Sequence, residues 1–239
     1  MHFETVTRLS KRLRVSFLVA FAILPSAVQA NLVLNPSFES PSPAGATTRY
    51  NTPGTPPGFV WTVGGAGVDL VESYWTAEDG SQSVDLNQDV GHPTSSLTPP
   101  GSVSQDLATN PGTIYRVEFW IAGNPDNSAP DDTGPSIKTM NAFFGATMHS
   151  YRFDVTGHTL ADPGWIHEQF LVTATESITT LSFVSTSSGY AGMTLDNVSV
   201  TPSSVPEPST AAILLIGVLT LLAPAGKKFL GFGRIPNQA

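Results

Sequence analysis

Two carboxylates in this sequence, Glu39 and Asp196, lie in segments whose other residues are patterned for burial. Asp196 falls in Thr194–Thr201, where period-two alternation places it on one face with Val198 and Val200. A carboxylate on a core face costs several kcal/mol unless it is hydrogen-bonded or binds a cation. First and last strands of a β-sandwich commonly lie side by side, so Glu39 and Asp196 could share a structural Ca²⁺. Backbone N–H groups and arginine are the alternative partners for both carboxylates.

Aromatic side chains next to charged ones form a second candidate site. Carbohydrate binding needs exposed aromatic faces on which sugar CH groups stack, with polar groups beside them. In Thr113–Ala122, Trp120 faces away from the apolar residues, and Arg116 and Glu118 are its neighbours on that face. Trp75 lies close to a turn and is a further candidate ligand-binding residue. The alternative for each tryptophan is a place in the core or over a sheet edge.

Signatures of catalysis are thin in this chain. The zinc-protease motif HExxH is absent, because Leu171 stands where the second histidine after His167-Glu168 would be. G-x-S-x-G and P-loop motifs are absent too. The chain has no cysteine, which excludes thiol catalysis and cysteine metal sites. Carboxylate pairs for glycoside hydrolysis stay open, since the sequence does not give their separation. We expect a non-catalytic protein.

The elements that must position these residues are β-strands. Thr113–Ala122 alternates with period two, so its tyrosine, valine, phenylalanine and isoleucine share one face. Gly/Pro/Asn/Ser clusters separate the runs, which is typical of a β-sandwich or jelly roll. Three long loops are candidates for function or for disorder: Ser40–Pro57, Asn87–Pro100 and Gly123–Pro135. Alternation or short apolar runs predict further strands at Asn31–Leu34, Gly58–Val63, Val68–Tyr74, Gln82–Leu86, Ser102–Leu107, 138–144, 151–155, Trp165–Thr173, Ile178–Thr186 and Thr194–Thr201.

The start of the chain indicates export. Four basic residues precede the apolar stretch Val15–Leu24, and small residues follow up to Ala30. This is the pattern of a cleavable secretory signal peptide, which we assign to residues 1–30. The body that remains, residues 31–204, is long enough for one β-sandwich domain with a sizeable core.

The body is strongly acidic once the two ends are set aside. It contains 4 of the 11 Lys and Arg residues and 17 of the 19 Asp and Glu residues, which gives a formal charge of −13. Such a surface repels nucleic acid, whose binding depends on Lys and Arg neutralising phosphates. It suits an exported protein or one that holds divalent cations.

The last part of the chain, residues 205–239, contains the apolar run Ala211–Ala225 followed by Lys227 and Lys228. At about 1.5 Å per residue, a helix over this run reaches roughly 22 Å, whereas the hydrocarbon core is about 30 Å thick. Such a helix is a marginal permanent anchor and is better suited to transient anchoring. An ordinary single-pass anchor is the alternative.

The residues before this run carry a motif. Val205, Pro206, Glu207 and Pro208 stand directly ahead of the apolar helix, and basic residues follow it. This order of parts resembles the PEP-CTERM sorting signal of Gram-negative bacteria. The resemblance implies that an exosortase-type membrane protease recognises and removes the tail. The body would then reach the cell surface or the extracellular matrix of exopolysaccharide.

The body itself resembles a family of exported proteins through five motifs in order. It is similar to the "choice-of-anchor C" family, which is related to the plant cell-wall DUF642 proteins. The resemblance implies a non-catalytic jelly roll like galactose-binding and carbohydrate-binding modules, with polysaccharide as the favoured ligand. In related modules a structural calcium lies between acidic residues at the positions of Glu39 and Asp196. The motifs are NLVLNPSFE from Asn31, GSQSVDLN from Gly80, VSQ from Val103, YRVEFWIAGNP from Tyr115 and GMTLDNVSV from Gly192.

Three functions follow as competing predictions. The first is a non-catalytic surface or matrix protein that binds polysaccharide. The second is a structural or adhesive surface protein whose partner is another protein, and the third is a small polysaccharide-acting enzyme. A fold alone does not decide among them. Clustered aromatic residues on one exposed face would favour the first, and a large apolar patch the second.

Overall fold

The structure is a computed structural model that describes residues 29–43, 45–51, 53–88, 100–126 and 133–203. Within these ranges the chain forms eleven β-strands and no helix. The strands are β1 Thr47–Tyr50, β2 Thr62–Gly65, β3 Val68–Val71, β4 Ser83–Asp85, β5 Gly101–Ala108, β6 Ile114–Gly123, β7 Ile137–Phe144, β8 Thr147–Asp154, β9 Ile166–Thr173, β10 Ile178–Ser185 and β11 Met193–Pro202.

The strands form two antiparallel sheets that enclose one core. Sheet A has the order β1-β3-β4-β11-β6-β9, and sheet B has the order β2-β5-β10-β7-β8. The last strand, β11, therefore lies in the middle of sheet A, between β4 and β6. The predicted all-β sandwich is confirmed.

The alternation read from the sequence explains which faces meet. Tyr115, Val117 and Phe119 of β6 are buried on the inner face of sheet A. Phe119 packs edge-on against Phe183 of β10 in sheet B, with ring centroids 4.9 Å apart. Burial of these alternating apolar side chains drives the two sheets together.

The first predicted strand, Asn31–Leu34, is not a strand in the structure. It nevertheless runs beside β11, where Leu32 N donates to Val200 O at 2.9 Å. The Gln105 side chain bonds both the N–H and the C=O of Leu34, at 3.1 and 2.7 Å. These bonds occupy backbone groups that a ladder would use, so the segment lies beside the last strand without joining the sheet.

One strand was absent from the sequence prediction. β1 lies inside the predicted loop Ser40–Pro57 and pairs antiparallel with β3 at the edge of sheet A. Its sequence, Thr-Thr-Arg-Tyr, has no apolar alternation because its side chains are exposed or half-buried. An edge strand of this kind carries little periodic signal.

Several predictions fall outside the described residues. They include the signal peptide up to residue 28, the apolar run Ala211–Ala225 and the sorting motif Val205, Pro206, Glu207 and Pro208. Among the described residues, no helix is long and apolar enough to span a membrane.

Candidate functional site

The orientation of Asp196 differs from the prediction because β11 contains a bulge. Asp196 and Ser199 pair with β6 residues that are only two positions apart, so β11 holds one extra residue there. Asn197 lies in the bulge with a φ of 46°, a left-handed conformation that asparagine tolerates. The extra residue turns Asp196 to the outer face of sheet A, opposite to the core-facing Val198. The predicted common face for Asp196 and Val198 is wrong.

Asp196 is fully buried all the same, because a loop covers it. Its Oδ2 accepts hydrogen bonds from Glu78 N at 2.9 Å and Asp79 N at 3.0 Å. Its Oδ1 accepts one from Asn197 N at 2.7 Å. Burial raises the pKa of Asp196 to about 7, although these N–H donors act in the opposite direction. The carboxylate anchors the covering loop to the sheet.

Glu39 holds the same loop at a second point. Its Oε1 accepts hydrogen bonds from Ser81 N at 2.8 Å and Gln82 N at 2.7 Å. Its Oε2 accepts one from the Ser81 hydroxyl at 2.9 Å. Backbone N–H groups are thus the partners of both carboxylates, as the alternative to calcium described.

Calcium at Glu39 and Asp196 stays a prediction. A cation would compete with N–H and O–H donors for the carboxylate oxygens already described. Across the residues that the structure describes, no group of three or more Asp, Glu, His or Cys side chains could hold a metal ion. A calorimetric scan of EDTA-treated protein, with and without added Ca²⁺, tests the prediction through the melting temperature.

The segment between these anchors, residues 72–82, is called the cross-face loop here because it lies over the outer face of sheet A. Trp75 is only 5% exposed, and its Nε1 donates to Ser83 Oγ of β4 at 2.8 Å. Trp165 Nε1 donates to Thr76 O at 2.9 Å from the other side. The loop is therefore fixed by side-chain hydrogen bonds at both of its flanks.

A cavity of about 290 Å³ opens between the cross-face loop and sheet A. It is called the binding cavity below. Its lining combines aromatic rings with carboxylate and amide groups, the combination that carbohydrate recognition needs. The aromatic members are Tyr74, Trp75 and Tyr190, and the polar members include Asp69, Asp85, Asn124 and Asp126.

Asp85 forms the floor of the binding cavity. It stands directly across from Asp69 in the β3–β4 ladder. Its oxygens accept hydrogen bonds from Asn87 N at 2.9 Å, Asn124 Nδ2 at 2.8 Å and Gly192 N at 3.2 Å. Burial is the largest effect on its pKa, which rises to about 8, and the charge of Asp69 raises it further. A strongly perturbed carboxylate in a cavity marks a candidate functional site.

The mouth of the cavity is built from the segments that follow β6 and precede β11. Tyr190 Oη donates to Asp126 Oδ2 at 3.1 Å. Asn124 Oδ1 accepts a hydrogen bond from Asp126 N at 2.9 Å, which orients the amide whose Nδ2 reaches Asp85. Asp126 belongs to the predicted functional loop Gly123–Pro135, whose Asp131 and Asp132 lie outside the described residues.

The structure separates the predicted sugar-binding residues. Trp120, Arg116 and Glu118 share the outer face of β6, as predicted, but none of them lines the binding cavity. Trp120 is half-buried against His167 of β9, with ring centroids 5.2 Å apart, and His167 Nε2 lies 3.8 Å from Glu118 Oε1. Trp75 does line the cavity, although it is mostly buried and offers little exposed ring surface.

The sequence reasoning missed Asp69, Asp85, Asn124 and Tyr190. A signal existed for two of them, because Asp69 and Asp85 each alternate with buried valine or leucine in a short strand. What the sequence lacked was the register that places Asp69 directly opposite Asp85. Asn124 and Tyr190 lie outside strands, where no periodic pattern applies.

The fold and cavity define an all-β sandwich with a ligand-sized recess on one outer face. A family model described as "Protein of unknown function (DUF642)" matches residues 31–201, and the chain belongs to this family. Halomucin of Haloquadratum walsbyi (strain DSM 16790 / HBSQ001) is 32% identical over 200 residues. That match covers 81% of this chain and 2% of halomucin, so the chain spans a very small part of its curated relative.

Solved structures of carbohydrate-binding modules are also similar to this chain. TmCBM61 in complex with β-1,4-galactotriose is 19% identical, with 73% of this chain and 99% of that chain covered and a TM-score of 0.43. A family 35 module from Clostridium thermocellum is 15% identical, with coverage of 66% and 100% and a TM-score of 0.40. At this distance the likenesses carry no argument about the ligand of this chain.

Proposed function

We propose that this protein is a non-catalytic surface or matrix protein that binds polysaccharide in the binding cavity. The observation that carries the proposal is the meeting of three aromatic side chains with carboxylate and amide groups in one recess of about 290 Å³. Apolar ring faces suit the CH groups of a sugar, and the polar groups suit its hydroxyls. The recess is fixed in shape, because Asp196 and Glu39 hold the loop that carries two of the rings.

The adjacent carboxylates Asp69 and Asp85 favour a second candidate, a polysaccharide-acting enzyme. Two carboxyl groups with different environments are the usual machinery of glycoside hydrolysis. Asp85, however, is 2% exposed, and both of its oxygens accept hydrogen bonds from N–H groups of the chain. A carboxylate held in this way is poorly placed to reach a glycosidic bond, and binding without turnover is the better account.

The proposal includes the route to the surface. The PEP-CTERM-like order of Val205, Pro206, Glu207 and Pro208 before Ala211–Ala225 supports transient anchoring and cleavage by an exosortase-type protease. An exported and membrane-anchored precursor would then release the body to the cell surface or extracellular matrix. Substituting Glu207→Ala and following the size and location of the protein tests this route. Retention of the uncleaved precursor is the expected result.

A glycan array with the exported protein tests the binding function. Two variants locate the site: Tyr74→Ala removes an aromatic wall of the cavity, and Trp120→Ala removes the half-buried tryptophan that lies outside it. We expect Tyr74→Ala to lose at least tenfold in affinity, since stacking contacts are worth about 0.5–1.5 kcal/mol and more with buried area. Trp120→Ala should retain wild-type affinity.

The same experiment can overturn the proposal. Loss of affinity in Trp120→Ala alone would move the site to the β6–β9 face. Absence of binding to every glycan would favour a protein partner instead, and release of reducing ends from a bound polysaccharide would favour the enzyme.

A further inference from the structure

The binding cavity is unbalanced in charge. Three carboxylates line it, Asp69 from β3, Asp85 from β4 and Asp126 after β6. Among the described residues in its lining there is no Lys, Arg or His. Arg49 approaches Asp69 Oδ1 at 3.6 Å from the edge strand, and the buried Lys138 donates its Nζ hydrogen to Thr133 O outside the lining. A carboxylated or sulfated sugar would meet repulsion here.

Aromatic rings stand on the other side of the same space. Tyr74, Trp75 and Tyr190 line the cavity together with the carboxylates, and Tyr190 is hydrogen-bonded to Asp126. A cation near the face of an aromatic ring is attracted by the electrons of the ring, and the attraction grows in a desolvated site. The cavity therefore offers two independent attractions to a positively charged group.

A buried acceptor beside Asp85 points the same way. The Asn87 amide is fully buried, and its Nδ2 donates to Ser187 O and Gly189 O, which fixes the orientation of the amide. Asn87 Oδ1 faces Gly192 on the side where Asp85 Oδ1 also lies, and this amide oxygen has no hydrogen-bond donor in the structure. The surroundings of Asp85 thus hold more acceptors than donors. A ligand that brings N–H donors and a positive charge would correct that excess.

We propose that the binding cavity selects a polysaccharide of hexosamines with free amino groups, whose ammonium group lies between the carboxylates Asp69, Asp85 and Asp126 and the aromatic rings. This inference rests on the proposed polysaccharide-binding function and adds the chemical class of the sugar. Free amines distinguish such a polymer from its N-acetylated form, which has the same sugar ring without the charge.

Proton release accompanies binding in this arrangement. Burial raises the pKa of Asp85 to about 8, so the group carries its proton at neutral pH in the free protein. An ammonium ion beside it lowers that pKa, and the proton leaves to solvent as the ligand enters. The groups that face Asp85 are Asp69, Asp126 and Lys138, and none of them is replaced by the ligand.

Calorimetric titration of the exported protein with defined oligosaccharides tests the inference. The probes are glucosamine oligomers, N-acetylglucosamine oligomers, neutral galactose oligomers and galacturonate oligomers, each of the same length at pH 6. We expect glucosamine oligomers to bind at least tenfold more tightly than N-acetylglucosamine oligomers and galacturonate oligomers to bind least. Titrations at pH 7 in two buffers of different ionisation enthalpy should show proton release for glucosamine oligomers alone.

A variant with little risk to the fold separates charge from packing. Asp126 is half-buried at the cavity mouth, so Asp126→Asn keeps the shape and removes one charge. Its preference for glucosamine over N-acetylglucosamine oligomers should fall at least threefold, with affinity for the neutral oligomers unchanged. Ser182→Ala, on the outer face of sheet B, is the matched control and should keep the wild-type preference.

Equal or tighter binding of N-acetylated, neutral or anionic oligomers would overturn the amino-sugar inference and leave the polysaccharide-binding function standing. Binding of no oligosaccharide would overturn both. A preference for glucosamine oligomers that Asp126→Asn leaves intact would place the ammonium group elsewhere and overturn the assignment of the cavity.

Discussion

The two outer faces of the sandwich have the same strand geometry and opposite contents. On sheet A the outer face carries the buried carboxylates Asp85 and Asp196, the cross-face loop and the binding cavity. On sheet B the outer face carries small polar side chains that are half-buried or exposed, including Ser102, Ser104, Asn141, Thr180 and Ser182. Both faces follow from period-two alternation, yet only sheet A is covered by a loop.

The difference shows where the selective chemistry of this fold comes from. A loop laid over a sheet face removes water from the side chains below it, so carboxylates there become buried and need defined partners. Side chains on an uncovered face stay hydrated and interact weakly with one another. The loop and the sheet face beneath it together make the candidate site.

The largest effect should come from removing the loop anchor. Asp196→Ala leaves the N–H groups of Glu78, Asp79 and Asn197 without their acceptor. Each unsatisfied buried donor costs about 1–3 kcal/mol, partly offset by the loss of a buried charge, so we expect about 3 kcal/mol of destabilisation. Urea unfolding measures it, with Ser182→Ala on the open face as the control. Equal losses in both variants would contradict the contrast between the two faces.

A smaller effect should follow from crowding the cavity floor. A Cβ on Gly192 would collide with Asn87 Oδ1 and lie 2.6 Å from Asp85 Oδ1. Gly192→Ala should therefore destabilise the protein by about 2 kcal/mol, as overpacking of a close-packed site does. Gly45→Ala, where nothing lies within 4 Å, is the control in the same thermal scan. Unchanged stability in Gly192→Ala would mean that the floor is not packed as described.

The pH dependence of stability should distinguish the covered face further. The pKa of Asp85 is raised to about 8 and that of Asp196 to about 7, both above the unfolded value of about 3.9. Between these values the folded state binds more protons, so stability falls as pH rises from about 4 to about 8. The slope is at most about 1.4 kcal/mol per pH unit for each group.

Urea titrations at pH 5, 6, 7 and 8 measure this slope. Asp85→Asn should flatten it above pH 7, because only Asp85 titrates there. A stability that increases with pH through this interval would show that both carboxylates are ionised and well solvated in the folded protein.

The smallest effect should come from the open face. Thr180 Oγ1 donates to Asp106 Oδ1 at 2.6 Å across β10 and β5, but both side chains are exposed. Thr180→Ala should change the free energy of unfolding by less than about 0.5 kcal/mol and leave oligosaccharide binding unchanged. A loss comparable to that of Asp196→Ala would show that cover by a loop is not what separates the faces.

Sequence patterns predicted the inner faces of this fold well for a physical reason. Period-two alternation reports which side of a strand is dry, so β6 was placed within one residue of its observed range. The same reasoning failed at Asp196, because one bulge residue inverts every later side chain and leaves the composition of the strand unchanged.

The candidate site was less accessible to sequence reasoning than the fold. Trp75 was identified as a type of residue that binds sugars, but its partners depend on register and loop path. Asp69 meets Asp85 only through the β3–β4 ladder, and Asn124 reaches Asp85 across 39 positions of sequence. Trp120 fitted the pattern of an exposed platform equally well, although the structure places His167 against it.

The central place of β11 has a mechanical consequence. A pulling force applied to the chain after Pro202 acts along a strand bonded to β6 on one side and β4 on the other, with Asn31–Leu34 laid against it. Extraction of β11 must break many hydrogen bonds at once in shear, whereas an edge strand such as β1 would peel away one bond at a time. A domain tethered through its last strand and loaded by flow or by an attached polymer is therefore held at its strongest seam.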